Sequence, residues 1–241
     1  MEPARPALLL TRPDAQSRRF AALFRARFGA DWPVVLSPLT EIAFLPCDLP
    51  AELPSDIVFT SENAVAAFSR LSRDRHAIAW CVGTRTEAAA RAAGFTTTRR
   101  GPGDWTGLAR LLIEAGRVRR VLHPRGVHAA GDLPGTLGSA GIETVSIPIY
   151  DQRELRPTAE ALRLMQGSRP ILLPLFSPRS AWLAARAFAS ARAPLRIAAI
   201  SAAADAAASA LPATARTIAA RPDGDAMLDA LAALIAAGET G

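Results

Sequence analysis

The chain has 241 residues, half of them apolar, with a mean hydropathy of +0.16 and a formal net charge of +6 at pH 7. That apolar content excludes an intrinsically disordered protein, which buries too little apolar surface to fold. No apolar run approaches the roughly 20 residues that a membrane-spanning helix needs, so we expect no association with a membrane.

Short apolar runs alternate with amphipathic stretches along the chain, which predicts alternating strands and helices. In chain order the predicted elements are strand 7–11, helix 15–28, strands 33–37 and 57–60, helix 62–71, strand 78–82, helix 84–93, strand 95–98, helix 105–114, strand 120–123, a helix within 131–140, strand 144–148, helix 158–166, strand 171–176, helix 179–190, strand 197–201, helix 203–211, strand 217–220 and helix 224–237. Residues 38–51 and 149–156 are predicted to be connections. Unbroken apolar strands between helices predict an α/β fold, with parallel sheets covered by helices on both faces.

An internal repeat divides the chain. Three successive strand–helix units recur in order, so that Phe59 matches Phe176, Gly83 matches Ser201 and Leu108 matches Leu228. The second copy lacks its own first strands, and the only spare strands lie at the N-terminus. We therefore predict one domain from residues 1–38 and 153–241, with residues 39–152 inserted as a second domain. We expect a ligand to bind between them, because clefts between domains are preferred pockets.

Small and polar residues follow most of the predicted strands, where ligands of open parallel sheets bind. Several of them begin helices, whose N-termini attract carboxylates and phosphates. The alternative for each residue is that it only caps its helix. The candidate ligand-binding residues are Thr11, Arg12, Thr60, Ser61, Asn63, Gly83, Thr86, Arg125, Gly126, Phe176, Ser177 and Ser201.

Several common chemistries have no motif in the chain. No glycine-rich phosphate loop follows a strand, which excludes a nucleotide-dependent transferase. Neither the three histidines nor Cys47 and Cys81 have the spacing of metal ligands or a redox pair, so we predict no metal site and a reduced, cytoplasmic setting. The arginine pairs are dispersed and aromatic residues are few, so we expect no nucleic-acid partner.

Tyr150 is the only tyrosine in the chain, and it lies in the second predicted connection. Its phenol is able to donate a proton or a hydrogen bond to a leaving group. The alternative is an amphipathic side chain that anchors the connection.

The chain resembles the uroporphyrinogen-III synthase family. The residues that carry the resemblance are Leu10-Thr11-Arg12-Pro13, Ile57-Val58-Phe59-Thr60-Ser61 with Asn63-Ala64-Val65, Val82-Gly83 with Thr86, Ile149-Tyr150, Phe176-Ser177-Pro178 and Ala198-Ala199-Ile200-Ser201. Each motif alone is weak, but together they keep their order over essentially the whole chain.

The resemblance implies two flavodoxin-like α/β domains joined by a two-stranded linker, with the N-terminal segment completing the C-terminal domain. It also implies a cofactor-free lyase that closes hydroxymethylbilane, a polycarboxylate tetrapyrrole, with inversion of its last ring. Tyr150 then resembles the family's acid for loss of the hydroxyl group, and Arg12 its basic residue at the end of the first strand. Ser61, Thr86 and Ser177 resemble hydroxyl positions that line the substrate site. We expect a monomer.

One turn departs from the family pattern. Ser201 is followed by Ala202-Ala203-Ala204-Asp205, where a hydroxyl residue is expected near position 203 or 204. Either Ser201 supplies the donor, or backbone N–H groups suffice, or activity is reduced; we favour the backbone. Because this turn lacks the expected hydroxyl residue, a second hypothesis stays open, that of a non-catalytic binding or regulatory module for an anionic ligand.

Overall fold

The computed structural model describes residues 5–128 and 131–238. The chain forms two compact units, unit 1 from Met1–Glu41 with Glu154–Gly241, and unit 2 from Ile42–Arg153. The predicted domain boundaries after residues 38 and 152 stay a prediction.

The strands and helices alternate for most of the chain. The strands are β1 (Ala7–Leu10), β2 (Val34–Leu36), β3 (Thr40–Phe44), β4 (Asp56–Phe59), β5 (Ile78–Cys81), β6 (Thr98–Arg100), β7 (Arg120–Gly126), β8 (Glu143–Glu154), β9 (Ile171–Leu175), β10 (Leu195–Ala199) and β11 (Ala213–Ile218). The helices are α1 (Asp14–Phe28), α2 (Glu62–Leu71), α3 (Thr84–Ala92), α4 (Trp105–Glu114), α5 (Leu133–Ser139), α6 (Ala159–Gln166), α7 (Pro178–Ala187), α8 (Ala202–Ala207) and α9 (Gly224–Ala236).

Unit 1 contains a five-stranded parallel sheet in the order β11-β10-β9-β1-β2. When the strands of unit 1 are numbered in chain order and the sheet is read from β2 to β11, the order is 2-1-3-4-5, which is that of flavodoxin-like folds. Successive strand residues point to opposite faces. Leu9 therefore packs with residues of α6, α7 and α8, and Leu8 packs with residues of α1 and α9. Both faces are covered, which explains why the strands are apolar without a break.

Unit 2 contains a six-stranded sheet in the order β3-β8-β7-β4-β5-β6. The five strands from β8 to β6 are parallel. One face packs against α2 and α3 through Phe59, Phe68 and Phe95, whose ring centroids lie 5.5–6.1 Å apart. The other face packs against α4 and α5 through Val58 and Trp80.

The two sheets have the same spatial order but begin at different strands. Strands β9, β10 and β11 match β4, β5 and β6 in the sequence repeat, and β1 and β2 occupy the places of β7 and β8. The units are thus circular permutations of one arrangement. The N-terminal segment completes the sheet of unit 1, as the strand count predicted.

Both predicted connections contain strands. Residues 38–51 were expected to be irregular, yet Thr40–Phe44 form β3. The prolines on both sides of this segment indicated an irregular connection, and the strand between them is short. Strand β8 continues through the second predicted connection to Glu154 and is the neighbour of β3 in the sheet. These neighbours are the two strands that the family resemblance implied for the linker.

Candidate functional site

The site of unit 2 centres on the carboxyl edge of β4 and β7, which are neighbours in the sheet. The next parallel strand in the chain after β4 is β5, which lies on one side of the β7–β4 pair. The next strand after β7 is β8, which lies on the other side. Such a switch point leaves a crevice beyond the strand ends, where α/β proteins bind their ligands. Thr60 and Ser61 come directly after β4, and Gly126 ends β7.

A bulge and a glycine place Tyr150 at this edge. The register between β7 and β8 shifts after Arg125, so that Gly126 is opposite Tyr150. A Cβ atom at Gly126 would lie 2.9 Å from two carbons of the Tyr150 ring. The ring therefore occupies the space that any side chain at position 126 would need. With 6% of its surface exposed, Tyr150 packs in the core of unit 2.

The Ser61 side chain lies near the Tyr150 hydroxyl and favours its deprotonated form by hydrogen bonding. The Ser61 Oγ also accepts a hydrogen bond of 3.1 Å from the backbone N–H of Asn63 and so caps α2. Burial raises the pKa of Tyr150 above its usual value of 10.0, and the Ser61 hydrogen bond opposes that shift. The phenol is therefore protonated at neutral pH and has a proton to donate.

His123 lies beside Thr60, which sequence reasoning did not foresee. The prediction ended the strand at His123, whereas β7 continues to Gly126 and leaves His123 in its interior, 2% exposed. The distance from His123 Nε2 to Thr60 Oγ1 is 3.3 Å. Burial, and to a smaller degree the charge of Arg125, lower the pKa of His123 to about 4. The one available signal was a lone imidazole among the buried apolar residues Val121, Leu122 and Pro124.

The Arg125 side chain forms hydrogen bonds with neighbouring groups of unit 2. Its Nε donates to Ser146 Oγ at 2.9 Å, and its Nη1 donates to the carbonyl oxygens of Gly126 and Val127 at 2.8 and 3.0 Å. These bonds hold the end of β7 against β8 and thereby stabilise the backbone around Gly126. A contact between Arg125 and substrate stays a prediction.

The next strand end, after β5, presents a helix N-terminus. Gly83 is the N-cap residue of α3 and supplies no side-chain acceptor to the first turn. A Cβ at Gly83 would lie 3.3 Å from the Cα of Gly103, so the two loops approach closely. The predicted hydroxyl residue Thr86 is 5% exposed. The backbone N–H groups at the start of α3 are therefore better placed to meet an anion than the Thr86 side chain.

Unit 1 brings Thr11, Arg12 and Phe176 together at its own switch point, between β1 and β9. The Arg12 guanidinium carbon lies 4.2 Å from the centroid of the Phe176 ring, a cation–π contact. Thr11 is 2% exposed, and its Oγ1 has no hydrogen-bond partner. Helix α1 begins just beyond, after Pro13, without a side-chain cap. This edge combines a positive charge with a helix N-terminus.

The two predicted serines of unit 1 cap helices. Ser177 Oγ accepts from the backbone N–H of Ser180 at 3.1 Å in a reciprocal capping box. Ser201 Oγ accepts from Ala204 N–H at 3.3 Å. Asp205, in the turn that departs from the family pattern, pairs with Arg216 at 3.0 Å. Each serine thus has the capping role that was the alternative prediction. The Ser177 hydroxyl also donates to Ser180 Oγ at 3.0 Å, whereas the Ser201 hydroxyl proton remains for a further bond.

Other features give no evidence of further chemistry. Residues 5–128 and 131–238 contain no cluster of three metal-ligating side chains and no helix that is long and apolar enough to cross a membrane. Cys47 and Cys81 are free, and burial raises the pKa of the Cys81 thiol to about 12, so it is a poor nucleophile. A cavity of about 800 Å³ lies at the opposite edge of the unit 1 sheet, near Ala7, Val34 and Arg169, and contains none of the predicted site residues.

Comparison with known proteins agrees with the motifs. The family model described as uroporphyrinogen-III synthase HemD matches residues 19–229. A uroporphyrinogen-III synthetase from Helicobacter pylori is 16% identical, with a TM-score of 0.67 over 95% of this chain and 99% of that one. A mutant uroporphyrinogen III synthase from Thermus thermophilus is 12% identical, with a TM-score of 0.57 over 99% of this chain and 100% of that one. No curated protein sequence matches the chain significantly.

Proposed function

Because the chain belongs to the uroporphyrinogen-III synthase family, we propose that Tyr150 is the acid with which it closes hydroxymethylbilane to uroporphyrinogen III. The observation that carries this proposal is the buried Tyr150 phenol at the switch point of unit 2, packed over Gly126 and next to the Ser61 side chain. No observation favours a non-catalytic binding module.

The first step is loss of the terminal hydroxyl of the linear tetrapyrrole. Tyr150 gives its proton to that hydroxyl, the carbon–oxygen bond breaks, and water leaves a positively charged, protonated azafulvene beside the phenolate. Because the pKa of Tyr150 is raised, the phenol stays protonated until it transfers its proton to the substrate. Ser61 Oγ, which accepts from the Asn63 N–H, still has its own proton to donate to the phenolate that forms.

The next steps invert the last ring. The substituted carbon of that ring attacks the azafulvene and forms a spiro intermediate, which fragments and closes again with the ring reversed. The final pyrrole loses a proton as its aromatic ring is restored, and that proton reprotonates Tyr150. Proton uptake and release therefore balance, with water as the only other product and no cofactor required.

Substrate binding needs donors for many carboxylates rather than one catalytic triad. Among the described helices, α1 and α3 are those whose first turns have no side-chain cap, so their N–H groups are open to anions. Arg12 adds a charge-assisted donor that Phe176 holds in place. We assign Thr11, Thr60, Asn63, Gly83, Thr86, Arg125, Gly126, Ser177 and Ser201 to the same surfaces.

Three further properties belong to this proposal. The free thiols of Cys47 and Cys81 support a reducing, cytoplasmic location. We propose that the enzyme is a monomer. We also propose that the functional domains are residues 1–38 with 153–241, and residues 39–152.

An isomer assay tests the function. Hydroxymethylbilane is generated in situ, the purified chain is added, and the oxidised products are separated into types I and III. We expect type III to predominate with the wild type, and mostly type I, the product of closure without enzyme, with Tyr150→Phe. Type I alone with the wild type would overturn the proposed function. Type III at an unchanged rate with Tyr150→Phe would remove Tyr150 from the mechanism.

A further inference from the structure

His123 is an unusual residue for the interior of a parallel sheet. The neighbouring residues of β7, Val121, Leu122 and Pro124, are buried and apolar, as is normal for a strand covered on both faces. A buried imidazole in such a strand costs free energy unless its nitrogens find partners. One nitrogen, Nε2, has Thr60 Oγ1 at 3.3 Å, whereas Nδ1 is buried and has no hydrogen-bond partner.

The unpartnered Nδ1 indicates which nitrogen holds the proton. A neutral imidazole has one N–H donor and one bare acceptor nitrogen. If the proton were on Nδ1, a buried N–H would be left without an acceptor, and orphaned buried N–H groups are rare in folded proteins. A bare lone pair on Nδ1 is the less costly arrangement. The proton then lies on Nε2, which donates to Thr60 Oγ1.

The direction of that bond sets what Thr60 is able to do. Once its oxygen accepts from His123, the Thr60 hydroxyl proton is free to be donated elsewhere. Thr60 is half-buried directly after β4, one residue before Ser61, whose side chain lies near Tyr150. A hydroxyl at this edge therefore offers a donor, rather than an acceptor, to a ligand.

We infer that His123 is a positioning residue that directs the Thr60 hydroxyl proton to a carboxylate of the tetrapyrrole substrate. The identity of that substrate rests on the proposed function, whereas the direction of the His123–Thr60 bond does not. Burial and the nearby Arg125 charge keep the imidazole neutral. A neutral His123 donates one hydrogen bond and adds no charge to the site.

The proton position is measured first, in the ligand-free protein. The chain has only three histidines, so a long-range ¹H–¹⁵N correlation spectrum of protein labelled at histidine is simple to interpret. The His123 signals are those that disappear in His123→Leu. We expect a neutral ring protonated at Nε2 near pH 7. A ring protonated at Nδ1, or a doubly protonated ring, would overturn the inference.

Steady-state kinetics with hydroxymethylbilane measure the consequence for substrate. We expect His123→Leu and Thr60→Val each to raise KM roughly 5-fold with little change in kcat, as loss of one hydrogen bond of about 1 kcal/mol predicts. The double variant should be no worse than Thr60→Val. His123→Gln, which keeps a side-chain N–H donor, should recover most of the loss, and the exposed His76→Gln is the matched control with unchanged KM.

Two kinetic results would contradict the inference. One is a normal KM in His123→Leu beside a raised KM in Thr60→Val, and the other is full additivity of the two changes in the double variant. If the wild type makes no type III product, the proposed function fails, yet the proton position in His123 still decides the direction of the bond.

Discussion

The two units share one sheet arrangement, yet they bring different chemistry to its carboxyl edge. In unit 2 the edge contains uncharged hydrogen-bonding groups, with Tyr150 near Ser61 and Thr60 beside His123. In unit 1 the equivalent edge presents Arg12 over Phe176 and an uncapped helix N-terminus. Burial favours a neutral proton donor, whereas a half-exposed guanidinium and helix dipole favour binding of anions.

The comparison assigns separate tasks to one repeated fold. On the proposed function, unit 2 contains the group that transfers a proton, Tyr150, at a position defined by Gly126 and the β-bulge. We propose that unit 1 contributes Arg12 and the N-terminus of α1, which attract carboxylates. Changes at Tyr150 should therefore lower kcat, whereas changes at groups that bind carboxylates, such as Arg12 in unit 1 or Thr60 in unit 2, should raise KM.

The largest effect is expected at Tyr150. Tyr150→Phe removes the proton donor and keeps the ring that packs over Gly126, so kcat should fall about 1,000-fold, within the usual range for a general acid. The free energy of unfolding should change by only about 1 kcal/mol, the usual value of one lost hydrogen bond. Initial rates of type III formation and urea unfolding measure the two quantities. A large loss of stability would show instead that the hydroxyl is structural.

A stability effect of about 3 kcal/mol is expected at His123. The pKa of His123 is about 4 in the folded protein and 6.5 in an unfolded chain, so between these values only the unfolded state binds a proton. The free energy of unfolding should therefore decrease as the pH falls from about 6.5 to 4. His123→Leu should lack this part of the decrease while retaining that due to the carboxylates. Identical pH profiles for the two proteins in urea unfolding would refute the assignment.

A smaller effect is expected at Gly126. The methyl group of Gly126→Ala would have to displace the Tyr150 ring, which should reduce kcat roughly 30-fold and destabilise the protein by about 2 kcal/mol, as overpacking does. Gly138→Ala is the matched control, because a Cβ at that helical position meets no atom within 4 Å. It should be neutral or slightly stabilising. Equal behaviour of the two variants would mean that Gly126 does not position Tyr150.

The smallest effect is expected at Arg12. Arg12→Gln removes one charge-assisted donor from unit 1 and should raise KM about 10-fold, equivalent to roughly 1.4 kcal/mol, with kcat nearly unchanged. Arg163→Gln, which removes an exposed charge from α6 of the same unit, should leave KM within about 2-fold of the wild type. Similar increases in both variants would point to net charge rather than to a site at Arg12.

Sequence patterns predicted the main features of the fold because its strands are buried on both faces. Continuous apolar runs such as Leu8–Leu10 and Ile171–Leu173 indicate parallel strands without reference to tertiary contacts. Strand β3 was not predicted, because it is a short edge strand. Its pairing with β8 stabilises it, and its own sequence has no clear periodicity.

The sequence predicted which residues lie at the ends of the strands, but not which of them contact one another. Ser61 and Gly126 follow strands, so topology alone placed them at a carboxyl edge. The bulge that brings Tyr150 opposite Gly126 depends on the register between two strands, which no local pattern specifies. The same holds for the His123–Thr60 pair, whose members are 63 residues apart in the chain.

The most direct test of this division is to measure kcat and KM for Tyr150→Phe, Arg12→Gln and the double variant in one assay. We predict that Tyr150→Phe lowers kcat, that Arg12→Gln raises KM, and that the double variant shows both effects at full size, because the two changes act on different steps. A fall in kcat for Arg12→Gln as large as that for Tyr150→Phe would contradict the assignment of the chemistry to unit 2 alone.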